Sequence, residues 1–443
     1  VTSVMTKYSR IAFGACAKEL FHTVESYAWK RCKPRKDEFR QYVYRHNRLQ
    51  NRKISPDMER LRQACLKVRE SLRPFRVEPT SLIKSFWALK KDTSAGLSMD
   101  DDGQFRKLYP TKNDAEFWTV KRDVRRWKKL GFIDNPSSIT FRSHLARGEA
   151  HKSRVVFVYP YSVCSLEGKY AIPLLNMLKH SPYSCPYGTQ HRWLQGGLRH
   201  FKSYMRDGIP VSIDFSGFDL STQRFFIEIA FALLRECFHL STSDEEEWQL
   251  FVEYFINTKI RADGKDSVLE GGIPSGSVWT HIVGSTISLL IAHYLCDDLL
   301  TVKAFGDDLV IMCRKTPSLP RFVEDARRIG FDVSLDKSVV GEIHWLGFNI
   351  TGDQPLILDV IKRWAGFFHP ESPDESMHHH KGRLLGYAMS ALGDPRFLHD
   401  FLILWEELHE YNALQSDRHL SPEFRGQHVT DLETLKRIWR NVI

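Results

Sequence analysis

The sequence predicts an α+β fold in which helices pack against one antiparallel sheet. An apolar run beginning at residue 209, IPVSIDFS, is typical of a buried strand, and a long apolar helical pattern follows residue 221. Two more strand-like runs flank Gly-Asp-Asp in VKAFGDDLVIM, residues 302–312, which indicates a hairpin. Further patterns predict helices at 278–295 and 321–329 and strands at 331–335 and 343–350. The order strand, helix, helix, hairpin, helix, strand is typical of α+β domains.

Composition narrows the class of protein. The chain has 443 residues, of which 42% are hydrophobic and 26% are charged, as in folded globular proteins of several lobes. The net charge of +9 favours polyanionic partners such as nucleic acid. The most apolar long stretch, Val278–Leu295, contains two histidines, so it predicts a buried helix and no membrane span. None of the eight cysteines forms a C-x-x-C pair, which favours free thiols in a reducing compartment.

Acidic residues follow both central strands. Asp307 and Asp308 lie at the expected hairpin tip, and Asp214 ends the strand that begins at residue 209. A solvated turn would explain the hairpin pair, but an acid at the end of an apolar strand is costly unless something neutralises it. Three converging carboxylates could hold two metal ions about 3.5–4 Å apart, the arrangement that serves phosphoryl transfer.

Other polar residues have two interpretations each. Lys152 and Arg154 lie two apart in a strand-like run, so both can face one phosphate group, or both can line a solvated edge. The Ser275-Gly276 pair can bring the backbone close to a nucleotide, or it can simply begin the next helix. Lys337 can act as a general acid or be an ordinary surface lysine.

The ordered set of motifs resembles viral RNA-dependent RNA polymerases. In the terms of that family, SIDFSGFD resembles motif A, GGIPSGSVWTHIVGSTIS motif B, AFGDDLVI motif C, SLDKS motif D and HWLGFNI motif E. Upstream, HKSRVVFVYP resembles the basic motif F and TSAGL motif G, so the set covers residues 93–350 in order. The segments GGIPSGSVWTHIV and RLLGYAMSALGD are most similar to the corresponding sequences of polymerases from partitivirus-type double-stranded RNA viruses.

The resemblance implies template-directed RNA synthesis and assigns the site. It implies two Mg²⁺ (or Mn²⁺) ions held by Asp214, Asp307 and Asp308, with Lys337 as the general acid for pyrophosphate. The implied nucleotide-binding residues are Lys152, Arg154, Asp219, Ser275, Gly276, Thr280 and Ser285. The implied template and primer contacts are Ser94, Ala95, Gly96, Trp345, Leu346 and Gly347.

The sugar and initiation sites depart from the pattern of the family. Gly284 stands where many relatives carry Asn before the later motif B serine, so Asp219, Thr280, Ser285 or the backbone must read the ribose 2′-hydroxyl. Thr280 and Ser285 could instead serve helix packing. Trp364 and the pair Phe367-Phe368 are candidates for an initiation platform.

The resemblance also implies a right-handed polymerase with an antiparallel-sheet palm packed on helices. The predicted regions are a basic helical segment at 1–76 that braces fingers and thumb, fingers at 77–208, a palm at 209–350 with a fingers insertion around 235–272, and a thumb at 351–443. Three consecutive histidines at 378–380 cannot share one face of a regular element, so they predict a surface loop.

The expected partners are the RNA template and product, ribonucleoside triphosphates and a capsid protein, with no membrane. The expected location is the host cytoplasm, inside the virion. Three other functions stay open: a reverse transcriptase, a two-metal nuclease and a catalytically inactive RNA-binding protein. Reverse transcriptases usually carry a bulky residue at the place of Asp219, a nuclease needs no triphosphate-binding strand, and an inactive protein would gain nothing from three unpaired acids.

Overall fold

The computed structural model describes residues 14–35, 37–415, 420, 423–424, 429, 431–440 and 442. The predicted segment 1–76 is therefore described from Gly14 onward and without Lys36. The strands are β1 Trp29–Cys32, β2 Ser98–Met99, β3 Phe105–Arg106, β4 Ser137–Arg147, β5 Ser153–Val158, β6 Ile209–Ile213, β7 Asn257–Ala262, β8 Lys265–Glu270, β9 Leu299–Phe305, β10 Asp308–Cys313, β11 Val339–Val340, β12 His344–Trp345, β13 Phe348–Asn349 and β14 Leu356–Ile357.

Helices make up most of the remaining regular structure. They are α1 Ala15–Ser26, α2 Glu38–Gln50, α3 Met58–Leu72, α4 Leu82–Ala88, α5 Phe117–Leu130, α6 Tyr161–Lys179, α7 Gly197–Tyr204, α8 Phe218–Ser221, α9 Arg224–Arg235, α10 Thr242–Ile256, α11 Thr280–Leu295, α12 Leu319–Arg328, α13 Val360–Phe368, α14 Met377–Met389, α15 Pro395–Glu407 and α16 Leu432–Arg440. Several helices begin at a capping side chain that accepts backbone N–H bonds, as Asp57 does for α3 and Ser241 for α10.

The central sheet has four antiparallel strands in the order β11-β6-β10-β9. The hairpin predicted around Gly-Asp-Asp is confirmed, and it consists of β9 and β10. Because side chains alternate along a strand, Leu309 and Ile311 of β10 pack into one hydrophobic core, while Val310 and Met312 pack into a second core on the other face. The sheet is thus covered on both faces, which explains why β10 is continuously apolar after Asp308.

Helix α11 covers the first face of this sheet. It contacts β9 on one side and α3 on another, and nearly all its residues are buried. A helix that is apolar on every side is expected in such a place, so the predicted buried helix is confirmed. In the described part of the chain, no helix is both long enough and apolar enough to cross a membrane.

A second sheet combines three strands that precede β6 in the sequence with two that lie between β6 and β9. Its strands follow the order β1-β4-β7-β8, and β5 pairs with the first half of the long strand β4. The β4–β7 pairing is parallel and the others are antiparallel. The pairing of β5 with β4 fixes the strand that carries Arg154, which lies opposite Arg142.

Two sequence predictions of local structure are wrong. Residues 331–335 do not form a strand; Val333 makes one isolated bridge to Phe215, and the surrounding backbone bonds to the segment that follows β6. The histidines at 378–380 lie in α14 and not in a surface loop. His380 is buried, and its Nδ1 lies 2.9 Å from Asp374 Oδ2, beside the ion pair that Asp374 makes with Arg383.

The strands predicted at 343–350 are shorter than expected. They are β12 and β13, which pair with each other across a turn at Leu346-Gly347. The division into fingers, palm and thumb stays a prediction. Within the predicted thumb the described elements are β14 and helices α13 to α16, and α1 from the N-terminal segment packs against α13 and α15.

Candidate active site

The ends of β6 and β10 bring two carboxylates side by side. Leu309 pairs with Ile213 in an antiparallel register, so the next residues, Asp308 and Asp214, come opposite each other where the paired segment ends. Asp308 also pairs with Phe305, which leaves Gly306 and Asp307 as a two-residue hairpin turn. Gly306 has φ +65°, and a glycine at the first position of such a turn is favoured because other residues are strained there.

These carboxyl groups raise each other's proton affinity. The pKa of Asp308 is raised to about 7, chiefly by burial and then by the charges of Asp307 and Asp214. The pKa of Asp214 is also raised, mainly by burial, while the ammonium group of Lys337 opposes the rise. Lys337 Nζ lies 3.6 Å from Asp214 Oδ1 and remains 62% exposed. The sheet end therefore holds more negative charge than the nearby cations neutralise.

The donor set fits a hard divalent cation. Carboxylate oxygens are the ligands that Mg²⁺ prefers, and a bound cation would favour the ionised form of these carboxyl groups, whose pKa values are raised by burial and then by repulsion. Among the described residues, no three histidine, cysteine or carboxylate side chains already stand close enough together to hold an ion. The assignment of Asp214, Asp307 and Asp308 as metal ligands stays a prediction.

Asp219 lies near these acids, on the short helix α8. Its side chain reaches solvent, yet the surrounding protein raises its pKa to about 7, with Asp307 adding to the rise and Arg154 opposing it. A group that water can reach and that protein nevertheless surrounds is expected in a cleft. The main-chain carbonyl of Asp219 accepts a 2.8 Å bond from the N–H of Ile273, which joins α8 to the loop before α11.

Basic residues lie near the acids. The pKa of Lys152 is lowered by burial and then by the charges of Lys362, Arg154 and Lys337, whereas Asp214 raises it. The structure thus brings together Lys152, Arg154 and the acids, as the sequence predicts. Lys362, on α13, was missed by the sequence reasoning because it lies far along the chain in a segment with no motif.

The loop before α11 is fastened to β5. The N–H of Phe157 donates a 3.2 Å bond to Ser275 Oγ. Gly276 packs so closely on the same residue that a Cβ at its position would overlap with the Phe157 carbonyl oxygen. The hydroxyl of Thr280 donates to the carbonyls of Pro274 and Ser277, at 2.5 and 2.9 Å. This loop therefore has a defined position relative to the strand that carries Arg154.

Ser285 and Ser288 of α11 hold the hairpin tip. Ser285 Oγ accepts the N–H of Gly306 at 2.8 Å and donates to the carbonyl of His281 at 2.8 Å. Ser288 Oγ donates to the carbonyl of Gly306 at 2.6 Å. Both polar functions of the Ser285 hydroxyl are thus used within the protein, which leaves Asp219 as the stronger candidate to read a ribose. Which of them reads the sugar stays a prediction.

Glu167 is a site residue that sequence reasoning missed. It lies on α6, is completely buried, and accepts bonds from the Ser277 hydroxyl and the Val278 N–H, both at 2.8 Å. Burial raises its pKa to about 8, although the two hydrogen bonds oppose the rise. The carboxyl group thereby fixes the far side of the loop before α11. Only the charged residue inside an apolar helical pattern, SVCSLEGKYAIPLL, could have drawn attention to it.

The N-terminal segment also supports the site, through α2. Gln50 Nε2 donates to the carbonyls of Leu220 and Thr222, at 2.9 and 3.1 Å, which fixes the turn after Asp219. His46 Nε2 lies 3.1 Å from the carbonyl oxygen of Gly271. The sequence predicts the basic character of this segment, but it does not predict these hydrogen bonds from uncharged side chains.

The predicted template-side loop docks where β5 meets α6. The N–H of Tyr161 donates a 2.8 Å bond to the carbonyl of Ala95, and Gly96 packs against the backbone of Tyr159 and Pro160. Ser94 Oγ accepts the Gly96 N–H at 3.3 Å. Contact of these three residues with a template stays a prediction.

Several predicted aromatic contacts are buried in the second core. The ring of Trp345 packs 5.0 Å from that of Phe201 and is inaccessible, so only its neighbours Leu346 and Gly347 reach the surface, and their contact with a primer stays a prediction. Trp364 stacks on Phe397 at 4.2 Å, and the rings of Phe367 and Phe368 are buried as well. The suggestion that Trp364, Phe367 and Phe368 form an initiation platform is therefore wrong: their size serves packing.

Comparison with known proteins identifies the class. A sequence profile for viral RNA-dependent RNA polymerase matches residues 34–392, so the chain belongs to this family. It is 28% identical over 309 residues to the RNA-directed RNA polymerase of Cryptosporidium parvum virus 1 (strain KSU-1), an alignment that covers 65% of this chain and 57% of that protein. The chain thus spans little more than half the length of this curated relative.

Two solved structures share the fold. The crystal structure of the RNA-dependent RNA polymerase of a human picorbirnavirus has a TM-score of 0.66 and 14% identity, covering 96% of this chain and 82% of that one. The insertion loop deletion mutant of that polymerase has a TM-score of 0.64 and 14% identity, covering 92% and 82%. The predicted polymerase fold and family are confirmed, including the likeness to partitivirus-like double-stranded RNA viruses. Members of this family use divalent metal ions, and their substrates are RNA and nucleoside triphosphates.

Proposed function

We propose that this chain copies RNA into RNA from ribonucleoside triphosphates by two-metal nucleotidyl transfer. The observation that carries the proposal is the meeting of the strand-end acids Asp214 and Asp308 beside the basic residues Lys152 and Arg154. The acids attract cations, and the basic residues attract phosphates. A nuclease would need only the acids, because it has no triphosphate to hold.

The reaction joins a 3′-hydroxyl oxygen to the α-phosphorus of a nucleotide and breaks the bond to pyrophosphate. Mg²⁺ or Mn²⁺ ions, when bound by Asp214, Asp307 and Asp308, supply charge neutralisation for the attacking and leaving oxygens. Lys152 and Arg154 bind the triphosphate, Arg154 through the planar fork that suits phosphate oxygens. They orient the α-phosphorus toward the acids at the sheet end.

Two further residues complete the chemistry. Lys337 is exposed and lies within ion-pair distance of Asp214, so its ammonium group can donate a proton to the leaving pyrophosphate. Asp219 accepts a hydrogen bond from the ribose 2′-hydroxyl of the bound nucleotide. A site built around that bond disfavours a deoxyribonucleotide, because the polar group is then left without its partner.

One assay separates this function from the others. Purified protein is supplied with a homopolymeric RNA template, Mg²⁺ or Mn²⁺, and labelled complementary ribo- or deoxyribonucleotides. Incorporation of the ribonucleotide alone supports RNA synthesis, and incorporation of the deoxyribonucleotide identifies a reverse transcriptase. Shortening of the template identifies a nuclease, and template binding without either reaction identifies an inactive RNA-binding protein. The last three outcomes contradict the proposal.

The same proposal places the chain in the host cytoplasm, inside the virion, with a capsid protein as a partner. Its membership of a viral polymerase family and its likeness to a polymerase of a double-stranded RNA virus support this location. Sedimentation of infected-cell extracts tests it: the polymerase should travel with particles that contain double-stranded RNA. Recovery of the polymerase entirely apart from particles would contradict it.

A further inference from the structure

Two tryptophan rings are exposed on the outer side of the predicted fingers. Trp87, near the end of α4, is 66% exposed, and Trp118, at the start of α5, is 61% exposed. The residue before each one lies in the contact that joins these helices, because the rings of the buried Phe86 and the partly buried Phe117 lie 5.5 Å apart. The two indoles therefore flank one small region of surface, although neither helps to hold it together.

Cations accompany both rings. Lys91 Nζ lies 4.5 Å from the ring centre of Trp87. Lys121 Nζ and the guanidinium carbon of Arg125 lie 5.7 and 5.8 Å from the ring centre of Trp118, one and two turns along α5. In the described part of the chain, Lys121 and Arg125 make no ion pair with a carboxylate. We call these five residues, Trp87, Lys91, Trp118, Lys121 and Arg125, the indole surface.

Acidic residues nearby are engaged elsewhere. Asp92 lies 3.4 Å from Lys90 Nζ, and Asp114 accepts bonds from the hydroxyl and N–H of Thr111 at 2.7 and 2.9 Å. Other cations of α5, such as Arg126 and Lys128, pair with carboxylates, whereas Lys121 and Arg125 do not in the described part of the chain. The surface thus combines exposed π faces with positive charge, which is the combination that binds single-stranded nucleic acid.

The indole surface adjoins the loop expected on the template path. The N–H of Asn113 donates to the carbonyl of Lys91 at 3.0 Å, and the N–H of Lys112 donates to the carbonyl of Thr93 at 2.9 Å. These bonds tie the approach to α5 to the start of the loop that contains Ser94 and Gly96. RNA lying on the indole surface would be next to that loop, outside the catalytic cleft.

We propose that the indole surface binds single-stranded RNA and holds the unread 5′ part of the template before it enters the cleft. This role rests on the proposed function, since it presupposes that the chain copies RNA. Bases stack on Trp87 and Trp118, and Lys121 and Arg125 contact the phosphates between them. A duplex, whose bases are already stacked, would leave the two rings unused, so the surface selects single strands.

The test compares RNAs that share one 3′ segment but carry unread 5′ tails of different length. Fluorescence anisotropy measures the affinity of wild type, Trp87→Ala, Trp118→Ala and Trp118→Tyr for a short RNA and for one about 16 nucleotides longer, a length that spans a typical single-strand site. Ile83→Ala is the matched control, because it removes another exposed apolar side chain from α4. Nucleotide incorporation on the short RNA is measured separately.

Wild type should bind the longer RNA more tightly than the short one. Each alanine variant should lose about five- to tenfold affinity for the longer RNA only, the low end expected for one stacked base. Trp118→Tyr and Ile83→Ala should stay near wild type. The double variant Lys121→Gln, Arg125→Gln should lower the slope of log affinity against log salt by about 1.4, or about 0.7 for each phosphate that the protein no longer neutralises.

Three results would overturn the proposal: no gain of affinity with tail length in wild type, alanine variants that keep the full gain, or an equal loss on the short RNA. The second would assign the indole surface to another kind of partner, such as a protein. Failure of wild type to incorporate nucleotides on the short RNA would contradict the proposed function instead, and a length-dependent loss in the alanine variants would still show that single-stranded RNA binds here.

Discussion

Replacement of Glu167 by Gln should make the protein's stability less dependent on pH. Burial raises the pKa of Glu167 from its ordinary value of 4.5 to about 8. Because the folded pKa exceeds the unfolded one, the contribution of this carboxyl to stability is fully present below about pH 4.5 and is lost as the pH rises through about 8. Gln keeps the shape and one acceptor but never ionises, so it removes that dependence.

The structure sets the size of the effect. A shift of the pKa from 4.5 to about 8 lowers the free energy of unfolding by at most roughly 5 kcal/mol as the pH rises across the titration. At low pH the variant should be slightly less stable, by about 0.5–1.5 kcal/mol, because one of the bonds to Ser277 and Val278 is weakened. At pH 8.5 it should match or exceed wild type. The two stability curves should therefore approach or cross as the pH rises.

Thermal unfolding followed by calorimetry from pH 5 to 8.5 measures this difference in Tm. Glu246→Gln is the control, because Glu246 is an exposed carboxylate whose replacement should leave the difference from wild type constant. A Tm difference between Glu167→Gln and wild type that does not change with pH would refute the reasoning. It would mean that Glu167 is ionised throughout and that its two hydrogen bonds outweigh its burial.

Three further predictions concern the nucleotide and the thumb. Arg154→Ala should raise the nucleotide KM about 10- to 100-fold through loss of a charged hydrogen bond; loss of RNA affinity with an unchanged KM would move Arg154 to the template path. Asp219→Ala should narrow the preference for ribo- over deoxyribonucleotides by roughly 1–3 kcal/mol in single-nucleotide incorporation, and an equal loss on both sugars would contradict its role. Asp374→Ala should lower the free energy of unfolding in urea by about 3–5 kcal/mol, because it leaves the buried Arg383, now 2.7 Å from the Asp374 carboxylate, without its partner. A loss below about 1 kcal/mol would show that solvent reaches Arg383.

The sequence was sufficient to predict the hairpin and the acids around it. Gly306 between two apolar runs specifies the turn that joins β9 to β10, and the motifs place Asp308 just after that turn and Asp214 at the end of β6. The same logic of short spacing places Lys152 beside Arg154. The pairing of β6 with β10, which brings Asp214 to Asp308, is not fixed by that turn, because the turn joins β10 to β9.

What the sequence could not show depends on contacts between distant segments. Glu167 and Lys362 reach the site from helices that carry no motif, and Gln50 does so from a segment notable only for its charge. A tryptophan such as Trp364 suits either an initiation platform or a hydrophobic core, and only the packing of α13 shows that it lies in the core. The run 331–335 is apolar enough for a strand, but its pairing with the segment that follows β6 is limited to one antiparallel bridge, between Val333 and Phe215.

The central claim is that the carboxylates at the hairpin form the reaction centre, and Asp308→Asn tests it most directly. The substitution keeps the size of the side chain and removes its charge, while Asp297→Asn changes an exposed acid at the other end of the hairpin as a control. Single-nucleotide incorporation on an RNA template is measured at saturating Mg²⁺ and nucleotide. The account predicts a loss of rate on the order of 10³-fold for Asp308→Asn, with wild-type rates for the control. Near-normal incorporation by a correctly folded Asp308→Asn protein would contradict it.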